Sequence, residues 1–487
     1  MNIRPQVRFL SDQLIEKILD EAREILCKLG TKVQNKKILE LLADSGAKAD
    51  FETGNVLYTQ ELIDKALKTV PSSFKLYDIT GKETHYFNDN NVYFTPGSAA
   101  LNILDSDSDK IRRPKTGDYI DYVKLLSSLD NIAAQSTAFI PDDVHEKVSD
   151  SYRLYLSLMF GEKPVVTGTF TIEAFEVMRD MQIAVRGDSE KLREQPLTVF
   201  SCCPTSPLKW SDVTSQNVVD CGRSGIPIEF ISMPLTGFIS PVTITGTLVA
   251  HTAETLSGIV ISQVANPGAP LLYGGSPAAF DIRYETTPMG AVETQMIDCA
   301  YSEIGKYLGI PTQAYISLSD SKMLDAQAGL ESAMGATMAV LSGINSISGP
   351  GMLDFENCQS LEKLVVDNEI CGMTLRMAKG IEPKEDFPAL PHFEELLKEN
   401  HLLIADHTRK YLREEHYFPG KVIDRANLSR WYEEGSMTLK ERAKGEVKKL
   451  IAKYTPTTLS DEIKKELTGL MNSEAKKYGM DSLPKQD

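Results

Sequence analysis

Eight short apolar runs, each breaking at its end into small or hydroxyl residues, constrain the fold of this chain more than any other feature. They cover residues 92–94, 132–134, 164–166, 197–200, 226–231, 270–273, 312–316 and 344–347. The breaks read Thr95-Pro96-Gly97-Ser98 after the first run, Gly274-Gly275-Ser276-Pro277 after the sixth and Ser348-Gly349-Pro350-Gly351 after the eighth. Helical patterns separate most neighbours. The clearest span 241–265, 291–308, 324–341 and 361–378, and Gly309, Gly343 and Gly380 lie just beyond three of them as stops. Short strands alternating with helices predict βα units and a parallel sheet. Eight such units predict closure, so the fold class expected is α/β, a (β/α)₈ TIM barrel. A doubly wound open sheet is the competing topology.

The flanks read differently. Residues 1–90 form an N-terminal helical segment, with apolar positions at helical spacing over 11–29 (Leu14, Ile15, Ile18, Leu19, Ala22), 37–45 and 60–69. The barrel domain takes 91–380. A C-terminal helical extension, 381–487, is charge-rich over 393–415 and 439–453, and from Thr455 onward it reads as a surface or oligomer-facing tail. With 487 residues the chain exceeds one ordinary core, which fits a barrel with appended helices.

The net charge of −16 argues against nucleic-acid binding, which needs a basic face; it favours solubility and would suit a cationic substrate or a basic partner. Seven cysteines without any C-x-x-C fit reduced thiols in the cytoplasm. No apolar signal core opens the chain. The most apolar helix, 241–265, carries His251 and Glu254 and therefore reads as buried in protein, not in a membrane.

Self-sufficient catalytic motifs are missing: no Walker A loop, no G-x-G-x-x-G, no H-E-x-x-H, no G-x-S-x-G. His251 with Glu254 sits at i, i+3 and reads as a core histidine beside an acidic neighbour rather than a metal site. Cys202 and Cys203 follow a strand, and as free cysteines read as buried before reactive. What remains is three loops at one face: 274–283, holding Phe280, Asp281 and Arg283; 319–329, holding Asp320 and Lys322; and 349–355, holding Asp354 and Phe355, ahead of Asp367-Asn368-Glu369. Such a pocket offers aromatic faces, a cation or two, and carboxylates. Aromatic faces attract a quaternary ammonium by roughly 0.5–2 kcal/mol each, and Arg or Lys holds a carboxylate. The plainer reading is that Asp281–Arg283 and Asp320–Lys322 are local pairs that order their loops.

From about residue 10 to 450 the sequence resembles the trimethylamine methyltransferase superfamily of corrinoid-dependent methyltransferases, in its non-pyrrolysine branch. The stretches that carry the resemblance are Met233-Pro234, Ser240-Pro241-Val242-Thr243, Gly246-Thr247-Leu248 and Asn266-Pro267-Gly268-Ala269-Pro270. Val366-Asp367-Asn368-Glu369-Ile370, His407-Thr408, Asp424-Arg425 and Trp431 continue it. The resemblance implies a (β/α)₈ barrel and transfer of a methyl group from an amine to cobalt of a separate corrinoid protein. Relatives that use trimethylamine carry pyrrolysine near the loop after the seventh strand; ordinary residues fill Ser319 to Lys322 here, which points to quaternary amines such as glycine betaine, proline betaine or carnitine. A quaternary nitrogen already bears its charge, so losing a methyl releases a neutral tertiary amine and calls for positioning rather than acid–base work.

On this reading Tyr93, Phe94 and Phe355 line an aromatic cage, Phe280 is a further substrate-binding residue, and Arg283 or Lys322 holds a substrate carboxylate. Asp320 and Lys322 are the catalytic candidates, Asp354 sets electrostatics or loop order, and the loops of Gly275, Ser276, Gly349 and Gly351 face the corrinoid. The corrinoid (cobalamin) comes from a partner protein, no metal or tightly bound cofactor of the chain's own is expected, and a homo-oligomer is. The alternatives are another barrel enzyme, such as a decarboxylase or a folate-linked methyltransferase, and a non-catalytic betaine-binding protein.

Overall fold

The computed structural model describes residues 4–486. Eight parallel strands follow one another: β1 Tyr93–Thr95, β2 Gln135–Ser136, β3 Val165–Thr167, β4 Thr198–Cys202, β5 Ile228–Phe230, β6 Leu271–Leu272, β7 Gln313–Tyr315 and β8 Ser346–Ser348. Seven overlap the apolar runs. The second lies just past its run, on Gln135 and Ser136, whose side-chain donors are placed: Gln135 Nε2 donates to the Lys163 carbonyl at 2.9 Å and Ser136 Oγ to that of Gly97 at 2.7 Å, while Gln135 Oε1 has no partner.

Strands β2 to β6 pair in order, as do β7 with β8 and β8 with β1. A parallel bridge between Tyr273 and Thr312 links β6 to β7. The Ala133 N–H donates to the Phe94 carbonyl at 2.9 Å, which links β1 to the segment leading into β2.

A helix follows each strand: Thr116–Leu126, Ser149–Phe160, Ala174–Arg186, Asp212–Ser224, Ile244–Ala265, Val292–Tyr307, Ala326–Ser342 and Leu361–Ala378. Ser211, Thr243, Asp325 and Ser360 cap four of them, each accepting from a backbone N–H three residues on. This explains part of the hydroxyl-rich composition of the strand-end loops. Because strand side chains alternate, Phe94, Phe200, Phe230 and Ile347 enter the large core between strands and helices. The long apolar helix Ile244–Ala265 packs inside this protein core, with Thr247, His251 and Glu254 buried.

The inner face is closed at its N-terminal end. A hairpin, Phe74–Tyr77 against Glu83–Phe87, inserts Leu76 and Phe87 among Val166, Val199 and Leu272 to form a separate apolar cluster. Residues 1–90 are therefore not only helical. Besides three helices they hold this hairpin and strands Thr31–Val33, Lys48–Ala49 and Asn55–Leu57, the first pairing with Lys209–Trp210 from the loop after β4.

Beyond the last core helix come five more: Leu390–Glu399, Asp406–Glu415, Leu428–Glu433, Leu439–Ala452 and Asp461–Lys477. The segment past Thr455 is no free tail. Its helix buries Leu467, Met471 and Ala475 and packs on Ser149–Phe160 and Ala174–Arg186.

Candidate active site

Alternation along β5 turns Ile228 and Phe230 to the core and Glu229 to the inner face. Glu229 is fully buried. Ser201 Oγ on β4 donates to its Oε1 at 2.7 Å, while Oε2 has no partner. Burial pushes this carboxyl up to about 7, against the opposing pull of the Ser201 hydroxyl.

Tyr315 projects inward from β7, and its hydroxyl meets Ser98 Oγ at 3.0 Å. The Ser98 N–H donates to Glu356 Oε1 at 3.2 Å. Glu356 comes from the loop after β8, where Asp354, Phe355 and Glu356 hold φ of +52°, +56° and +71° in succession. Three left-handed residues in a row are costly for ordinary side chains. A ribbon of Met352–Leu353 with Cys358–Gln359 and the Asp354 N–H bond to the Ser321 carbonyl, 2.9 Å, hold the turn. Burial raises the Glu356 carboxyl well above its usual range, and the charge of Glu229 raises it further.

Glu229, Glu356, Tyr315 and Cys203 sense one another electrostatically, so they share one site at the C-terminal end of the inner face. Cys203 lies exposed at the rim of this cleft, where desolvation and then the charges of Glu229 and Glu356 push its thiol up to about 12. At neutral pH it is a protonated, weak nucleophile. Gln313 Oε1 accepts from the Gly275 N–H at 3.2 Å while its Nε2 has no partner, and Ser348 Oγ has none either. Among the described residues no lysine, arginine or histidine forms an ion pair with Glu229 or Glu356. Buried carboxyls without a counter-ion stay neutral or wait for a cation.

Some of the expected residues meet beside it. Lys322 Nζ lies 3.9 Å from the Phe355 ring centre and 3.5 Å from Asp354 Oδ1, and donates to the Asp320 carbonyl at 2.7 Å. Asp320 is not a free acid: its carboxylate accepts the N–H groups of Met289 and Gly290, 2.8 and 3.0 Å, and so ties the loop after β6 to the loop after β7. Burial lifts it to about 6. Phe280 stacks on Phe238 at the rim, ring centres 4.8 Å apart and 15° between planes, on a ribbon of Leu235–Thr236 and Ala278–Ala279.

Others are elsewhere. Tyr93 points inward but at the wrong end, 4.5 Å from His85 and 5.5 Å from Phe87 of the plugging hairpin. Phe94, one residue on, faces the opposite way into the main core. Arg283 is 77% exposed and pairs with its neighbour Asp281 at 2.6 Å, so that pair orders its own turn. Gly275 and Ser276 belong to the sheet wall and not to a partner-facing loop: a Cβ on Gly275 would strike His251, and the Ser276 N–H donates to the Ser232 carbonyl at 3.0 Å. Gly349 (φ +145°) and Gly351 (φ +87°) are buried where a side chain would strike Ile316 and Gln359. Their need for glycine is backbone approach.

His251 is a core residue. It accepts or donates at the Gly274 carbonyl, 3.0 Å, stacks on Tyr301 at 4.2 Å and is pushed down to about 3 by burial, hence neutral. Glu254 accepts from Ser206, Ser232 and the Leu208 N–H. No group of three or more His, Cys, Asp or Glu able to hold a metal ion occurs among the described residues. Asp367 accepts from the Gly351 N–H at 2.6 Å and pairs with buried Lys363, fixing the loop that presents Glu356.

Glu229, Glu356, Tyr315, Ser98 and Gln313 escaped the sequence reading. One signal was available: a lone Glu inside the apolar run 226–231 is costly to bury unless used. Nothing in the sequence near Glu356 announces the turn that aims it inward.

The fold is shared with a solved enzyme. The crystal structure of the Methanosarcina barkeri monomethylamine methyltransferase, MtmB, superimposes with a TM-score of 0.53 at 13% identity, covering 98% of this chain and 89% of that chain. Fold and sequence relatives together define a methyltransferase. More narrowly, the chain belongs to the trimethylamine methyltransferase (MTTB) family, whose model matches residues 1–479. Its relatives include the trimethylamine methyltransferase MttB of Desulfitobacterium hafniense strain DCB-2, 28% identical over 96% of this chain and 94% of that protein. A glycine betaine methyltransferase from D. hafniense strain Y51 is 28% identical over 98% of both. The MttB of Methanosarcina barkeri strain Fusaro is 30% identical over 96% of this chain and 95% of that protein.

Proposed function

We propose that this methyltransferase moves a methyl group from a quaternary amine of betaine type to cobalt of a corrinoid protein, releasing a tertiary amine. The observation that carries the reading is the pair Glu229, fully buried, and Glu356, half-buried, beside Tyr315, neither of which has a partner cation among the described residues. The ladder is read as a closed (β/α)₈ barrel, since an open doubly wound sheet would leave two strands with one neighbour. The site then lies where such barrels carry their chemistry, at the C-terminal ends of the strands.

In this mechanism a trimethylammonium head sits against Glu229, Glu356 and the face of Tyr315, its charge compensated by the carboxylates and the ring. Ser201 and Ser98 hold Glu229 and Tyr315 in place. Lys322, already on the rim over Phe355, is the group placed to take a substrate carboxylate. The carboxylates favour the cationic ground state, so the chain's contribution to rate is orientation of one N-methyl toward the open end and exclusion of water. Cys203, neutral at pH 7, is a poor methyl acceptor, and exposed Phe170, Phe238, Val242 and Tyr284 in the strand-end loops suit an apolar partner face. A corrinoid held by that partner would supply the nucleophile, as Co(I).

The test is a panel of amines offered with reduced corrinoid protein, following loss of the Co(I) absorbance and the amine product by mass spectrometry. The expected result is demethylation of a quaternary amine to its tertiary product. Transfer from tertiary amines alone, or no transfer from any amine, would overturn the reading.

A further inference from the structure

The segment 381–437 is built inside out. Of its 57 residues only Ala405 and Val422 are buried, and helices Leu390–Glu399, Asp406–Glu415 and Leu428–Glu433 bury none. Among the described residues thirty large apolar side chains are exposed, and twelve of them fall in this short stretch. They include Ile381 at 90%, Leu397 at 79% and Leu403 at 77%, with Phe387, Phe393 and Ile404. Val422 anchors the segment in the main core, and the rest of what binds it to itself and to the core is largely polar. Lys384 pairs with Glu414 at 2.5 Å, Lys410 with Glu385, and Arg376 with Glu415 at 3.1 Å. Ten-residue helices are marginal alone in water and owe their stability to burial of an apolar face. Here that face points outward.

We infer that the 381–437 arm is the self-association surface of this enzyme and that a second copy of the chain covers it. Size is the first argument. At roughly 100 Å² of exposed surface for each large apolar side chain, the twelve offer on the order of 1,200 Å², more than the ~800 Å² per partner of a standard stable interface. A contact so apolar resembles the core of a permanent homodimer. Position is the second. The arm is rooted at the N-terminal end of the strands: Arg376 in the last turn of Leu361–Ala378 holds Glu415, and Tyr417 bonds Asn131, which lies just ahead of β2. A partner that must reach the mouth works at the opposite end, so it cannot cover this face while doing so. The occupant is also permanent, since the arm has no core of its own, and an identical chain is always present in equal amount.

Light scattering on the full-length protein after size exclusion, with hydrogen exchange on the same sample, tests this. The expected mass is a whole multiple of the chain mass, with the amides of 390–415 protected in that oligomer. Phe393→Asp with Leu397→Asp should lower the mass to a smaller species, with an unchanged circular dichroism spectrum and methyl transfer per chain. A monomeric wild type, an oligomer whose 390–415 amides exchange freely, or cover of the arm by the corrinoid partner alone would each overturn the proposal. If the double variant misfolds, the exchange measurement on the wild type still decides.

Discussion

Glu229 is the residue on which the proposed function leans most, and its environment has consequences in two directions. Its carboxyl is pushed up to about 7, so in the free enzyme it loses its proton near neutrality. A bound cation favours the ionised form, so binding should release a proton and weaken about tenfold per unit as pH falls below 7. Glu229→Gln should raise KM about tenfold or more at pH 8 and flatten this dependence; steady-state kinetics from pH 6 to 9 checks it. Without ligand the sign reverses. The folded protein keeps a proton the unfolded chain gives up above about 4.5, so stability falls as pH rises to about 7. Relative to the Gln variant, the wild type should lose up to about 3 kcal/mol across that window, read from denaturant midpoints. Buried His85 and His251, pushed down to about 3, act oppositely below 6.5 but are common to both proteins. Two of the residues chosen from sequence make a contrasting pair. Phe94→Ala should cost about 3–5 kcal/mol of stability, as a cavity in the core does, with KM nearly unchanged, because the ring faces away from the site. Arg283→Ala should leave both within error, its only ion-pair partner being Asp281 on an exposed turn.

At the scale of elements, strand and helix spans were largely legible because period and punctuation agree. The run 361–378 matches its helix residue for residue, and Gln60–Thr69 does likewise. What could not be read is which end of a strand a residue occupies in space. Tyr93 and Thr95 both point inward, but only the C-terminal end reaches the mouth, and the hairpin that claims Tyr93 is assembled from residues 74–87. The strand-end loops were found, yet their polar residues divide between chemistry and scaffolding in a way composition does not reveal. Asp320, Asp367 and Ser360 all serve backbone N–H groups. The pair Lys363–Asp367, fully buried, holds Gly351 and with it the turn of Glu356. Lys363→Met strands an unpaired carboxyl and should cost about 3–5 kcal/mol; thermal unfolding checks the loss, and kcat should fall with it because Glu356 is no longer held.

For the whole molecule, one end of the ladder is plugged by the hairpin, and at the other Glu229 and Glu356 are two carboxyls that, on the proposed function, ionise against a bound cation. The chain as a whole carries −16, but on the proposed function it is Glu229 and Glu356 that discriminate. Charge, not shape, should decide what binds. Glycine betaine and 3,3-dimethylbutanoate, its carbon isostere, have the same outline and the same carboxylate, and differ only in the charge at the central atom. Isothermal titration of both into the enzyme at pH 8 separates the two ideas: the account predicts that betaine binds at least about tenfold tighter, and equal affinity for the neutral-headed isostere would contradict it.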